Sequence, residues 1–597
     1  FAGDDRYVVD YLLSEVVERQ PRYIQNFLLQ TSILDRLNVR LCNHVTGQVG
    51  SQQILETLEQ ANLFIVPLDN RRQWFRYHHL FAEFLRARLR QTTPELEADL
   101  QTRASQWHLE HGGVDDAVEH ALLSGDFTAA ADLIEEQGAR VMWSQGRMRT
   151  IRRWLETLPP NEVNRRPYLA IARSWSLLST GELETLAAYL PVVEASVRAQ
   201  TAECRADQGP VLPGQLEVVR AELALFQGEI NEVGRYIERA LEILPEHDTI
   251  SRALAMQTQG YVQRLQGEVV GAELTLQAAH QLSQAAGNRS GQIFALVDLA
   301  EVYMIRGEFE RATATYQTMQ RLAEQPGGGI NPVACGAFVG LGRIHFARGD
   351  YAPALALLEE GLVLSERVGY RNYVRLTHFL LAQVEEASGR RSRAMSHLHA
   401  ALDASRALNT PWIVARMAME EASLRLAQGD LPAAQRWAAA TGGRLDLDGA
   451  MPSYQSHEEQ LLLARVEQAS GDYAAAQTRL ARCRQAAQAA DWQRSLIDIG
   501  LQEALCYAVQ NQPVAARQAL GEALALAAPQ DAVQVFLQAG PTLSPLLQDA
   551  IDHDLVATFA KRLLDRRATA VTSTAGVNEY AAASNALEEP LTARELE

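Results

Sequence analysis

The chain of 597 residues has little that would carry chemistry of its own. Lys561 is its only lysine; every other one of its 55 basic residues is arginine. A P-loop needs a lysine directly after glycine to reach the β and γ phosphates, and Lys561 lies between Ala560 and Arg562. These residues therefore hold no such loop. The 5 cysteines, Cys42, Cys204, Cys335, Cys483 and Cys506, are far apart and form no CxxC pair. That excludes a disulfide framework and a thiolate metal site, and fits a reducing, cytoplasmic compartment. HExxH and GxSxG motifs are absent, and His108 and His111 in WHLEH have no third ligand nearby, so their helix face is expected to be solvated. No catalytic and no metal residue is assigned, and no enzyme activity is expected within these residues. Long apolar runs are missing too: the uncharged stretch Ala532 to Gln548 is broken by Gln, Gly and Pro, and FAGDDRYVVDYL has neither a basic nor an apolar leader region. Neither a signal peptide nor a membrane span is expected. Basic charge is in deficit, with 73 acidic residues and a net charge of -18, a field that repels phosphate backbones and anionic lipid.

What is present is a repeat. The hydrophobic share of 47% and charged share of 21% are those of globular chains, and the length suits about four domains. A helical pattern ends at Gly, an acidic residue and often an aromatic follow, and Ala comes five residues after the Gly. The copies include SGDFTAAA at Gly125, QGEVVGAE at Gly267, RGEFERAT at Gly307, RGDYAPAL at Gly349, SGRRSRAM at Gly389, QGDLPAAQ at Gly429 and SGDYAAAQ at Gly471. Asn511 takes the glycine's place in NQPVAAR. From Gly267 to Asn511 the marks step by 40, 42, 40, 40, 42 and 40 residues. Gly permits the left-handed turn that ends a helix, the acid sits at the positive start of the next, and Ala lets paired helices approach. The marks at Gly181 and Gly228 are weaker, with Leu186 and Val233 at the alanine position. Unrelated helices could share one such turn; six regular steps point instead to stacked helical pairs and a superhelix with a concave surface, about ten pairs between residues 106 and 565. The spacing Ala300, Tyr303, Gly307, Ala312, Tyr316 resembles the tetratricopeptide pattern, at a period longer than its usual 34 residues.

The first hundred residues read differently. Helical stretches precede LFIVPLDNRRQWFRYHHL, where Leu63–Leu68 and Trp74–Tyr77 are expected as strands around an Asp69–Gln73 turn, with Pro67 suited to an edge. Helices followed by a hairpin and the helical FAEFLRARL make a winged helix. At the other end, ATAVTSTAGVNEYAAASNALEEP reads as a flexible linker, and LTARELE, with Thr592 and Glu595 at capping-box spacing, as the start of a helix. Beginning at Phe1 and stopping there, the chain reads as an internal fragment. The fold class expected is mainly α: a small winged-helix domain over 1–105, a tetratricopeptide-like α-solenoid over 106–567, a linker over 568–590 and the opening of a further domain over 591–597.

In this order FLLQTSILDRL, ANLFIVPLD and WFRYHHLFAEFLRARL, followed by the array, resemble the MalT-like regulators, the large ATP-binding members of the LuxR family. The resemblance spans the chain and implies a signal-transduction ATPase. In it a P-loop module binds ATP or ADP, a winged helix follows, a superhelical sensor takes a small-molecule inducer or a regulatory protein, and a C-terminal helix-turn-helix binds promoter DNA. This chain would supply the middle two parts and bind no cofactor alone. The family's first and last domains would lie beyond its ends, and self-association on activation is part of the expectation. In related switch ATPases a Met-His-Asp motif of the winged helix touches ADP, and Tyr77, His78 and His79 align with it. His78 is thus the implied ADP contact and His79 a second, with Tyr77 and His79 departing from the motif. From the residues alone, two adjacent imidazoles would instead point to opposite faces, one packing and one solvated. Trp143, Trp154, Trp175, Trp412 and Trp437 could stack on a sugar or aromatic ligand, although a repeat tryptophan is more often core. The competing reading is a helical-repeat scaffold for protein partners without a transcriptional role.

Overall fold

The computed structural model describes residues 16–139, 141–142, 147–203, 211–324, 330–408, 410–442 and 454–568. The opening FAGDDRYVVDYLLSE, Cys204, Trp143, the linker from residue 569 and the LTARELE segment lie outside the described residues. The chain forms two compact units, one of residues 1–176 and 189–203, the other of 177–188 and 204–597. No helix among the described residues is long and apolar enough to cross a membrane.

The first unit opens with α1 (Arg22–Thr31), α2 (Val39–Thr46) and α3 (Ser51–Gln60), then β1 (Ile65–Pro67), β2 (Phe75–Tyr77), α4 (His79–Thr92), α5 (Pro94–Glu110) and α6 (Val114–Leu123). Helix α2 starts at Asn38, whose side chain accepts from the Leu41 amide, and ends at Gly47 with φ +68°. One apolar face of each helix closes over Leu28, Leu41, Leu58, Phe81 and Leu85, all at most 1% exposed. The strands are antiparallel with Ile65 opposite Tyr77 and Pro67 opposite Phe75, and Leu37 bridges to Phe75 on the far side. Strand β1 is thus the edge, where a residue without an N–H is tolerated. Both strands are shorter than the sequence suggests. Asn62 and Phe64 take positive φ of 51° and 53°, which breaks the extended run before Ile65. The wing turn is built on Asp69: Oδ1 accepts from the amides of Arg71 (2.8 Å) and Gln73 (3.1 Å), and Oδ2 from that of Trp74 (2.8 Å). These bonds, the Gln73 amide foremost, hold its carboxyl below the usual range.

The WHLEH face is divided: Trp107 is buried and His108 half-buried, whereas Leu109, Glu110 and His111 are exposed, as a solvated face requires. His108 stacks on His120 with ring centroids 5.4 Å apart, His111 stacks on Trp107 at 4.0 Å, and His120 Nδ1 lies 2.6 Å from Gln101 Oε1. Burial, and then His108, pull His120 down to about 4.

The second unit is a succession of helical pairs, and each repeat mark does the work its residue types suggest. Gly228, Gly267, Gly307, Gly349, Gly389, Gly429, Gly471 and Asn511 all have positive φ. The residue five positions on is fully buried in each described case: Ala272, Ala312, Ala354, Ala394, Ala434, Ala476 and Ala516 are 0% exposed. So are Leu186 and Val233, which shows that the two weaker marks are the same turn with a larger residue at the contact. Asp430 and Asp472 each accept from the amide three residues on, at 3.1 and 3.0 Å, closing the start of the following helix.

Periodicity alone does not disclose that the array winds back on itself. The apolar core joins Val269–Ile344 to Leu461–Leu563 as one cluster. Trp492 Nε1 donates to the Gly267 carbonyl at 2.8 Å, Arg306 pairs with Asp491 at 2.9 Å, the Phe309 amide donates to Gln530 Oε1 at 2.7 Å, and Arg566 Nη1 donates to the Arg348 carbonyl at 2.7 Å. The turns at Gly267, Gly307 and Gly349 are thereby covered by the next turn of the superhelix, whereas among the described residues a β-carbon at Gly389, Gly429 or Gly471 would meet nothing within 4 Å.

Candidate functional site

Two places bring polar side chains together: the end of the wing, and the inner ridge of the superhelix.

At the wing, Tyr77 is the fixed member. It is buried, its hydroxyl lies 2.7 Å from Thr31 Oγ1, and Thr31 in turn donates to the Phe27 carbonyl, so the phenol is the donor. Burial raises its pKa well above that of a free phenol. His78 follows where the strand becomes α4. Its amide donates to the Phe64 carbonyl at 2.7 Å, which fixes the backbone and leaves the ring outside. His78 and His79 are both exposed, with ring centroids 4.4 Å apart, so they share one side instead of dividing into one packed and one solvated ring. Among the described residues neither ring has a hydrogen-bond partner. Exposed apolar groups frame them: Phe64 is 36% exposed with its ring 6.4 Å from His78, and Val66, Leu68 and Leu80 are about as open. A pair of imidazoles with unclaimed N–H groups at an apolar rim can donate to phosphate oxygens, so the residues present fit a phosphate group.

The inner ridge is formed by the first helices of seven successive pairs, Val211–Gln227, Thr249–Gln266, Arg289–Ile305, Cys335–Ala347, Arg371–Ala387, Pro411–Ala427 and Tyr454–Ala469. Its rungs are ion pairs and hydrogen bonds between consecutive repeats. Thr258 donates to Glu222 at 2.5 Å, Arg264 pairs with Asp298 at 3.3 Å, and Gln257 donates to the other Asp298 oxygen at 2.8 Å. Arg343 reaches both oxygens of Glu301 at 2.6 and 2.7 Å, and the Tyr316 hydroxyl donates to the same carboxylate at 2.8 Å. Arg375 pairs with Glu420 at 2.5 Å, and Arg416 bridges Glu420 (3.0 Å) and Glu458 (2.8 Å). The curvature brings the far end of the ladder round: the Arg416 charge acts on Tyr261 and on Arg343, which belong to earlier repeats.

Neighbouring carboxylates on this ridge are driven apart. Burial pushes Asp298 up to about 6 against the opposing pull of Arg264 and Gln257. Burial acts on Glu301 in the same sense, but Arg343 and Arg264 outweigh it and bring its carboxyl down to about 2.

The aromatic candidates fall elsewhere. Trp154 is 0% exposed in the core of the first unit, and Trp175 packs against the same cluster. Trp437 packs against Met419, Ala422 and Leu462. Trp412 lies against the Gly228 turn, its Cδ1 3.7 Å from where a β-carbon would stand. Trp492 was not singled out by spacing, since it sits in a loop between pairs and its partner is far away in the chain. It stands 4.6 Å from the His457 ring and 5.1 Å from that of Tyr454, centroid to centroid. Among the described residues no three His, Cys, Asp or Glu side chains converge as a metal site would need.

Comparison with known proteins agrees with this arrangement. The family described as MalT winged helix domain matches residues 13–97, and the one described as MalT-like TPR region matches 214–553, more than half of the chain. Curated relatives include the HTH-type transcriptional regulator MalT of Vibrio cholerae, 27% identical over 53% of this chain and 34% of its own length. That of Klebsiella pneumoniae is 28% identical over 54% and 35%. The matched stretch thus spans about a third of those relatives. Among solved structures, a Pyrococcus horikoshii STAND protein with a tetratricopeptide repeat sensor is 14% identical, covering 80% of this chain and 64% of its own, at a TM-score of 0.38. With the MalT-like repeat model matching more than half of its residues and the MalT winged-helix model matching before it, this chain is a member of the MalT-like family.

Proposed function

We propose that the chain is the signal-sensing and regulatory portion of an ATP-dependent transcriptional regulator, with the winged helix over 1–105 and the sensor over 106–567. Membership of the MalT-like family is the observation that carries this reading. The inner ridge is the surface that takes a small-molecule inducer or a regulatory protein: most of its ion pairs are buried, and Arg416 and Glu458, each 29% accessible, are the members a ligand can reach. Promoter DNA is bound by a helix-turn-helix domain that follows, since a chain of net charge -18 repels the duplex. Buried free thiols at Cys42, Cys335, Cys483 and Cys506 suit a cytoplasmic protein.

His78 is the ADP contact of the resting state, with His79 beside it. Bound nucleotide supplies the phosphate charge. The chain's part is an imidazole N–H that donates to it while the wing is docked and is withdrawn when the wing swings away. Inducer on the ridge favours the second arrangement, and release permits self-association and promoter binding.

The test uses the intact protein. His78→Ala is expected to lower ADP retention and to raise inducer-independent transcription in a promoter assay. Unchanged retention together with unchanged basal transcription would refute the contact. Calorimetry with candidate sugars and repressor proteins tests the ridge: a ligand whose binding is lost in Arg416→Ala supports it, and binding indifferent to that change removes it.

A further inference from the structure

One repeat turn is basic where its sisters are acidic or, at Asn511, neutral. The residue after the turn glycine is acidic at Glu229, Glu268, Glu308, Asp350, Asp430 and Asp472, but Gly389 is followed by Arg390, Arg391, Ser392 and Arg393. Where Asp430 and Asp472 place a carboxylate over the following helix start, this turn places three guanidinium groups, and the Arg393 amide bonds the Arg390 carbonyl instead. The three arginines and Leu355 line an open-mouthed pocket of about 650 Å³.

The cluster is held, not merely exposed. Glu385, with 4% of its side chain accessible, binds Arg390 and lies 3.8 Å from Arg393, so one buried carboxylate aims two guanidinium groups at the same mouth. A single negative charge leaves the group at a formal charge of about +2 by this count of side chains. Arg391 has no ion pair or hydrogen bond among the described residues. Nor do the described residues cover the turn. The equivalent turn at Gly349 lies under Val533, Leu537 and Arg566, whereas a β-carbon at Gly389 would meet nothing within 4 Å.

We infer that the Gly389 pocket binds a small polyanion, a phosphate- or carboxylate-bearing metabolite, between Arg390, Arg391 and Arg393. Planar guanidinium forks match both anions in pairs of hydrogen bonds, and a pocket with one apolar wall adds contact for the carbon part. The site is separate from the inner ridge and from the wing histidines and does not depend on the regulator reading.

Calorimetry on the full 597-residue chain would use inorganic pyrophosphate and citrate as probes, with sodium chloride at matched ionic strength as the control. The expected result is one-to-one binding of at least one probe, weakened tenfold or more in Arg391→Gln/Arg393→Gln. Pyrophosphate alone would identify a phosphate ligand, citrate alone a carboxylate, and both a site that reads charge. If the double variant does not fold, Arg391→Gln alone should weaken binding severalfold, since that side chain has no structural partner to lose. Failure of both probes to bind at millimolar concentration, or binding that the substitutions leave unchanged, overturns the assignment.

Discussion

Trp492 donates its indole N–H to the carbonyl of Gly267, 225 residues earlier, and its ring fills the space where a side chain at Gly267 would be. A β-carbon there would stand 2.1 Å from Trp492 Cζ2, on a residue whose φ is +86°. The same glycine therefore satisfies a local demand, the left-handed turn, and a distant one, the return of the superhelix.

Gly267→Ala should accordingly cost more than an equivalent change at an uncovered turn. At Gly429, with φ +82° and nothing within 4 Å, alanine carries only the backbone penalty of about 1–2 kcal/mol. At Gly267 the clash with the indole adds a further 1–3 kcal/mol or so. Urea denaturation of the two variants side by side measures the difference.

Glu301→Gln removes the charge that Arg343 and Tyr316 share. Arg343 would be left largely buried without a counter-ion, a loss of about 3 kcal/mol by analogy with broken interior pairs. Thermal unfolding at neutral pH should show it. Glu301→Asp, which keeps the charge on a shorter arm, should recover part of the loss.

Asp298 gives a pH signature. Burial raises its folded-state pKa to about 6, against about 3.9 unfolded, so between those values the folded chain binds more protons. This group's contribution is therefore present at low pH and is lost as pH rises through about 6. Asp298→Asn should flatten the stability profile across that window, whatever it does to absolute stability through Arg264. Unfolding midpoints of the two proteins between pH 4 and pH 7, at intervals of about half a unit, would reveal a slope that persists unchanged if the assignment is wrong.

Asp69 has the opposite sign. The amides of Gln73, Trp74 and Arg71 hold its carboxyl low, so what it gives the wing is present above the ordinary carboxylate range and lost as pH falls through its lowered value. Asp69→Ala should loosen the turn, and limited proteolysis should cut faster between Asp69 and Trp74 with the rest of the chain resistant.

Much of this architecture is legible from spacing because its causes are local. A left-handed turn, a capping acid and a small contact residue are each read from one position, and Ala312 and Ala476 are as buried as their place after the glycine implies. Leu186 and Val233 show that the contact tolerates size, which a rule built on alanine understates. The strands end sooner than their composition suggests for a local reason too: the positive φ of Asn62 and Phe64 has no glycine to announce it. The exposed faces of His78 and His79 depend on where the chain turns from strand to helix. The ridge and the seam are harder to read. Arg264 and Asp298, or Trp492 and Gly267, meet because many small rotations between repeats accumulate, and no single spacing records that sum.

The seam also changes what kind of object the repeat array is. In an open solenoid each repeat answers only to its neighbours, and the ends can fray without notice elsewhere. Here the helices that follow Asp491 brace those that follow Gly267, so the array is linked in a second dimension. Stability is then shared across about five repeats at a time rather than passed down a line. A disturbance at the last repeats is felt at the turns from Gly267 to Gly349, and the braced part should melt in one cooperative step, the behaviour of a globular domain assembled from solenoid parts.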